Sequence, residues 1–480
     1  MRPSDFELVI GLEVHCQLKT RSKLFAPCAF SFGNGPNEQS DPVSWALPGV
    51  LPVPNALAVE YAVRLGLAVG AEIAPKSRWA RKHYFYPDSP YGYQITQHDQ
   101  PYCRGGAIVL PPDETGQSKR IRLHHIHMEA DAGKNIHVDG QDVSWVDYNR
   151  AGAPLVEIVS FPDLRSAADA AAYLREIRTL VRALGISDAN MEEGTLRCDA
   201  NVSLRPRGSE TFGTRCEIKN LNSFRFVESA IASEARRQFD LLEQGKPVVQ
   251  STLAYDTERD RTWVMRSKED AADYLYFPEP DMPPLLLDEA YVAAVKANLP
   301  ELPAARFERY LGLGLTADDA RLLIADSEVG AYFEEVLKSG VPAKKACNWL
   351  LVELVGRLNR DQSSIADCKL RPQALAKIVG LIEESVIGGP AAKKVFELCY
   401  ASGDEPLVVV EREGLRQVSD SGAIEAIVRD VVAAHPKQVA DVLAGQVKVR
   451  GFLIGQIMKR SSGQANPQLA NEILDRVLQS

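Results

Sequence analysis

Polar and apolar residues alternate through residues 12–18, where Leu12, Val14, Cys16 and Leu18 take one side and Glu13, His15 and Gln17 the other. That period belongs to a half-buried strand. It places Glu13 and His15 on one face, about 6.5 to 7 Å apart at their Cα atoms. The pattern returns over residues 195–205, where Leu196, Cys198, Ala200, Val202 and Leu204 oppose Arg197, Asp199, Asn201, Ser203 and Arg205. Arg215, Glu217 and Lys219 continue it in the next run. Elsewhere the spacing lengthens to that of a helix. Tyr173, Leu174, Ile177, Val181 and Leu184 form one stripe, opened by a capping-box-like Ser166 and Asp169 and stopped at Gly185. Val227, Ile231, Phe239 and Leu242 form another, between Ser223 and Gly245. The strands are not regularly interleaved with crossover helices, so the pattern predicts an α+β fold with both helices on one face of a sheet.

Beyond about residue 295 the short alternating runs give way to Ala-, Leu- and charge-rich sequence of helical period. A first domain over 1–295 is therefore expected, with the Pro-dense stretch 277–303 as a stiff connector. A weaker break at 403–405 separates a helical domain, 296–405, from a small helical tail, 406–480. Within that tail, residues 447–460 hold Lys448, Arg450, Lys459 and Arg460 and no acid.

Length and composition narrow the class. With 480 residues, 45% hydrophobic and 25% charged, the chain is long enough for about three globular domains and carries no bias toward disorder. Lys plus Arg number 55 against 64 Asp plus Glu, a net charge of −9, so any contact with a nucleic-acid backbone must be local. The eight cysteines include no CxxC pair, which argues against a disulfide framework or a zinc knuckle and suits reduced thiols. No apolar run approaches the roughly 18 residues of a spanning helix, and Asp5, Glu7 and Glu13 stand where a signal peptide is basic and then apolar. A cytoplasmic protein without membrane contact is expected.

A polar sheet face crowded with both charge signs is either a solvated surface or the floor of a site. Glu157 interrupts the apolar run PLVEIV, and a buried carboxylate needs an ion-pair partner or a metal. His125, His127 and Glu129 share one parity in IRLHHIHMEADAG. They lack a thiolate companion, and carboxylates with an imidazole suit a hard cation such as magnesium better than zinc. The chain contains no P-loop, no dinucleotide-binding glycine motif and no GxSxG elbow. Phosphate chemistry would then fall to metal and to Arg or Lys on a sheet.

Several long segments together, among them VIGLEVHCQLKT (9–20), RKHYFYPDSPYGYQITQ (81–97), HMEADAGK (127–134), VDYNRAGAPLVEIVSFPD (146–163), EIKNLNSFRF (217–226) and GFLIGQIMKRSSGQANPQL (451–469), carry a resemblance over essentially the whole length. The chain resembles the B-subunit family of the aspartyl/glutamyl-tRNA(Asn/Gln) amidotransferases. The resemblance implies a cradle-like catalytic domain, a helical domain and a tail that helps hold tRNA. It also implies that ATP and magnesium serve to phosphorylate the side-chain carboxylate of a misacylated Glu-tRNA(Gln) or Asp-tRNA(Asn). Ammonia from a partner glutaminase, the amidase (A) subunit, then displaces the phosphate. A small (C) subunit completes the implied heterotrimer.

Residue by residue, the resemblance implies a metal site of Glu13, His15, Glu157 and Glu129, with Lys82 and Tyr84 along the ammonia route. Arg197, Asp199, Asn201 and Arg205 are candidates for phosphate, nucleotide or aminoacyl contacts, and Lys448, Arg450, Lys459 and Arg460 for tRNA. Two departures stand out. Where the family typically has Glu-Glu-Asp, this chain reads Glu129, Ala130, Asp131, so Glu129 or Asp131 would have to serve in place of the missing acid. Where some members carry paired cysteines, it reads Asp41, Pro42, Val43, Ser44, leaving Cys28 alone, and no zinc is expected. A tRNA-docking scaffold without chemistry, or a metal-dependent hydrolase acting alone, are the competing readings. The first does not require Glu13 and Glu157 to converge near His15, and the second would turn over without partners.

Overall fold

In the computed structural model the described residues are 2–112, 116–137, 140, 142–267, 274–417, 420–443, 446–461 and 464–479, without the side chains of 266–267 and 447–448. Two compact units divide between Pro303 and Ala304.

The first unit is built on a ten-stranded mixed sheet, mainly antiparallel. At its centre Phe6–Gln17 lies between Leu196–Pro206 and Pro154–Ser160, both antiparallel to it, and Arg120–Ala130 pairs the far side of Pro154–Ser160. Cys216–Leu221 extends the other side. Period two then sorts the side chains. Leu12, Val14, Cys16, Cys198, Ala200, Val202, Val156 and Ile158 enter one core, while the residues between them face the other way.

The helices Ala167–Ala183 and Phe224–Glu243 close that apolar face through the stripes read from sequence, with Tyr173, Leu174, Ile177, Val181, Val227 and Ile231 in the same core. Phe239 and Leu242 are only half buried. Ser166 and Ser223 cap them, each accepting from the backbone amide three residues on. Asp169 does not complete a capping box, for its carboxylate pairs with Lys119. Gly185 supplies the left-handed turn after the first helix, at φ +68°.

Strict alternation fails in the strand Arg120–Ala130. Its pairing slips between Val159 and Ser160, whose partners are His125 and Leu123, so His124 is the extra residue of a bulge. Parity reverses across it: Ile121 and Leu123 on one side and Ile126 and Met128 on the other all reach the core. His125, His127 and Glu129 fall on the polar face.

The Pro-dense stretch is not a free connector. Leu275–Pro278 pairs with Ala80–His83, which also pairs with Tyr93–Thr96, forming a three-stranded sheet. Pro278 is the last residue of that strand, where no ladder donor is lost. The helix Glu289–Ala297 then returns Val292 and Val295 to the first core. The division therefore falls after Pro303 rather than at 295.

The second unit is helical and holds two separate cores. One gathers Tyr310 through Val410, including Phe333, Leu350, Leu375 and Phe396. The other joins Ile424, Val428 and Val431 to Leu453, Ile457, Ile473 and Leu474. Mixed sheet in the first unit and helices in the second make the fold α+β. All eight cysteines are free, and seven are buried. Among the described residues no helix is long and apolar enough to cross a membrane.

Candidate functional site

Register assembles the polar face. His15 lies opposite Glu157 on one side and Arg197 on the other, and Glu157 lies opposite His127, so four strands set His127, Glu157, His15 and Arg197 in one row. Glu129 joins from two residues further along its strand. His15 Nε2 stands 3.4 Å from Glu157 Oε2 and 3.7 Å from Glu129 Oε1. One ligand atom from each of His15, Glu129 and Glu157 lies within 4.8 Å of the other two. His127 backs the group, its Nε2 3.3 Å from Glu157 and 3.7 Å from Glu129.

The electrostatics of this cluster are those of charges held out of water. Burial alone would lower both imidazoles, but the Glu157 and Glu129 carboxylates outweigh it, raising His15 to about 9 and His127 to about 10. Burial pushes Glu157 up, and the two imidazoles overcome that and hold it well below the usual carboxylate range. Two carboxylates and an imidazole are donors for a hard cation. The neighbouring thiols Cys16 and Cys198 face the core, so no soft ligand joins them.

Glu13, on the same face as His15, is not one of the three converging donors. Its Oε1 accepts from Asn201 Nδ2 at 2.9 Å. Burial and the nearby Glu157 and Glu217 charges raise its pKa. Asp199, opposite Glu13, accepts from Lys219 Nζ at 3.0 Å and from the Asn220 amide. Lys219 also bonds Glu217 at 2.9 Å. Past Glu13 and Asn201 the face opens into a cavity of about 260 Å³ whose wall includes Gly11, Ser160, Ser203 and Arg215. Arg205 is not part of that wall; it pairs with Glu7 at 2.5 Å and stands over the ring of Phe212, a wall residue, 5.5 Å from its centre.

The small sheet stands over the other end. Thr96 Oγ1 reaches Glu129 at 3.4 Å and Gln94 Nε2 donates to the Ala130 carbonyl at 2.9 Å. Lys82, on the middle strand, is half-buried near Glu129 and Glu157, with Nζ 4.8 Å from the centre of the Tyr274 ring. Burial lowers its ammonium and the carboxylates more than offset that, so its pKa is raised. Tyr84 lines a small cavity with Tyr91, Gln94, Ala130 and Asp131. Burial pushes its phenol well up.

A family model described as the GatB/GatE catalytic domain matches residues 8–293, and one described as the GatB domain matches residues 331–478. The chain belongs to the GatB family. Three relatives, each named as the B subunit of an aspartyl/glutamyl-tRNA(Asn/Gln) amidotransferase, show how far the likeness runs. That of Anaeromyxobacter dehalogenans strain 2CP-1 is 51% identical over 481 residues, 99% of each chain. That of Geobacter sulfurreducens is 50% identical over 478, again 99% of each. That of Chlorobium chlorochromatii is 49% identical over 476, covering 99% of this chain and all of the relative.

The departure from the GatB pattern at Ala130 acquires a geometry. The strand runs through Ala130, so its side chain packs against the core while Glu129 faces the cluster. Asp131 is taken by Arg197, whose Nη2 is 2.6 Å away, with Arg150 at 3.6 Å. Of the two acids that could replace the missing one, Glu129 is with the donors and Asp131 is not.

Sequence reasoning left His127 out of the site, although its shared parity with Glu129 was the available signal. In the tail, the acid-free stretch forms the helix Val447–Arg460, where Arg450 meets Asp475 at 2.7 Å and Arg460 meets Asp430 at 3.6 Å. Acids absent from the segment come from neighbouring helices. The side chain of Lys448 lies outside the described residues.

Proposed function

We propose that this chain is the B subunit of a glutamine-dependent tRNA amidotransferase, acting on Glu-tRNA(Gln), Asp-tRNA(Asn) or both. It uses ATP to phosphorylate the side-chain carboxylate of the misacylated amino acid, giving an acyl phosphate and ADP. Ammonia released by a partner amidase (A) subunit, in a heterotrimer with a small (C) subunit, attacks the acyl carbon. Phosphate leaves and the nitrogen loses a proton to yield the amide. The observation that carries the reading is the convergence of His15, Glu129 and Glu157 on the polar face, with Lys82 above them and a cavity beside Glu13. A docking scaffold has no use for a buried carboxylate pair.

His15, Glu129 and Glu157 would hold magnesium, with Glu13 on the same face of the sheet. Bound there, magnesium would neutralise nucleotide phosphates and the charge that develops in transfer. The remaining work belongs to this chain's own groups. Asn201 holds the Glu13 carboxylate in place, and His127 fixes Glu157 from behind. Arg197, braced by Asp131, presents a fixed cation at the edge of the row, suited to a substrate carboxylate or a transferring phosphoryl group. Lys82, kept protonated by the acids beneath it, offers a second cation from the opposite wall. Asp199 acts through Lys219 and Glu217 as part of the frame. The cavity bordered by Gly11, Ser203 and Arg215 is suited to the nucleotide, and Arg205 supports its rim from behind the Phe212 ring. Tyr84 and its cavity make an apolar approach fit for neutral ammonia.

The test is reconstitution of this chain with the amidase and small subunits. Conversion of Glu-tRNA(Gln) or Asp-tRNA(Asn) that requires ATP, magnesium and glutamine together is the expected result. Turnover by the chain alone, or a complex that binds tRNA and makes no amide, would overturn it.

A further inference from the structure

The bulge at His124 does more than slip the register. Leu123 and Ile126 both enter the core, so the two residues between them, His124 and His125, both point away from it. Strict alternation would have sent one of the two into the apolar layer. A bulge re-aims a side chain, and this one brings two further rings into line with His127.

His124 Nδ1 lies 2.6 Å from His125 Nδ1, and His125 Nε2 lies 3.1 Å from His127 Nδ1. The His125 and His127 rings are stacked, with centres 5.2 Å apart and planes 22° from parallel. His127 Nε2 in turn faces Glu157 at 3.3 Å and Glu129 at 3.7 Å. A row of three imidazoles therefore runs from exposed His124, through half-buried His125, to the buried ring behind the candidate cation site. Its outer end is also held, for His124 packs against the Phe161 ring at 5.1 Å between centres.

The row has a definite hydrogen-bond logic. A carboxylate only accepts, so His127 keeps a proton on Nε2, and its other nitrogen, Nδ1, is paired with His125. Burial, the two flanking imidazoles and Arg104, opposite it on the neighbouring strand, outweigh Glu157 and lower the His125 pKa to about 4. A neutral imidazole offers one donor and one acceptor, so His125 can complete His127 on one side and His124 on the other. The consequence reaches the cluster through a single atom. Glu157 Oε2 faces both His127, at 3.3 Å, and His15, at 3.4 Å, so a turn of the His127 ring shifts an oxygen that His15 also meets.

We propose that His125 is a positioning residue of the cation site: it fixes the His127 ring, which fixes Glu157 and Glu129 where they meet His15. The proposal rests on the reading of that cluster as the magnesium site given above. Loss of an outer hydrogen-bond partner of a metal ligand costs about 10- to 100-fold in affinity. His125 acts one ring further out, so a loss of about three- to tenfold is expected.

The test uses the assembled amidotransferase without nucleotide or tRNA. Manganese, a hard cation taken by the same donors, is counted by electron paramagnetic resonance and displaced with magnesium, and the bound fraction lost in Glu157→Ala marks the site. His125→Leu should weaken that fraction about three- to tenfold and raise the half-saturating magnesium of amidation by the same factor, with KM for the charged tRNA unchanged. His125→Gln, whose amide can donate or accept near the Nε2 position, should recover most of the affinity. Ser166→Ala, which loosens a helix on the apolar side of the sheet, should leave manganese binding as it was, so general destabilisation is told apart from loss of positioning. Manganese binding by His125→Leu equal to that of the unaltered complex overturns the proposal. So does a Gln variant as weak as Leu, because the bulk of the ring and not its hydrogen bond would then be what counts. A complex in which Glu157→Ala removes no bound manganese overturns the magnesium reading itself, a failure separate from that of His125.

Discussion

The two faces of the central sheet are made by the same strands, and they answer to different rules. On the helix side Leu12, Val14, Cys16, Cys198 and Ala200 are almost wholly excluded from water among other apolar groups, and their requirement is volume. On the opposite side Glu13, His15, Glu129, Glu157 and Arg197 are largely withdrawn from water as charges, and their requirement is partners. Replacing an apolar residue by a similar one costs little, whereas removing one member of a buried charge set leaves its partners uncompensated. One sheet thus separates what keeps it folded from what it can do, one residue apart along each strand.

The most severe way to break that separation is to put a charge on the wrong face. Val14→Asp places a carboxylate with no partner into the core, at a cost on the order of 4 kcal/mol or more. Loss of a cooperative urea transition in the first unit is the expected result. A normal midpoint would mean that this face tolerates charge and that the contrast is false.

On the polar face the same kind of change should remove function first. Glu157→Ala and Glu13→Ala should each cut amide formation by on the order of 10²-fold or more while the partner's basal glutaminase stays close to normal. Glu157→Ala should also lower stability, because His15 and His127 lose their counter-charge. Rates within a factor of two of the unaltered complex would take these residues out of the site.

Magnesium titrations sharpen the contrast further. Glu129→Ala should raise the magnesium needed for half-maximal amidation. Ala130→Glu should not lower it, because that side chain starts on the core side of the strand. The pH dependence has a definite sign. His15 is raised to about 9, so its pairing stabilises the metal-free fold fully below about pH 6.5 and loses that contribution as pH rises through about 9. Magnesium needs the neutral imidazole, so half-saturating magnesium should fall as pH rises from 7 to 9, by up to about tenfold per unit. A flat dependence would show that His15 is not a ligand.

The smallest effect tests the layer behind the core face. Ser166→Ala removes the acceptor for the Asp169 amide and should cost about 1 kcal/mol, seen as a modest shift of the unfolding midpoint with amidation intact.

Much of this molecule was legible in the order of its residues. Period two fixed which side chains of residues 12–18 and 195–205 share a face, because alternation is a property of a single strand. Period 3.6, Ser caps and Gly stops located the two covering helices for the same local reason. What lay beyond reach was everything that depends on two segments meeting. The bulge at His124 reverses parity only because the partner strand slips there, and the sequence IRLHHIHME does not announce it. Pairing register, set across four strands, brought His127 beside Glu157 and left Glu13 to Asn201. The Pro-dense stretch became an edge strand because Ala80–His83 offered it a partner. Arg450 and Arg460 of the basic tail helix met acids from other helices. Charge along a chain is a sum over neighbours in sequence, but the energy of a charge depends on its neighbours in space, and only the tertiary structure decides those.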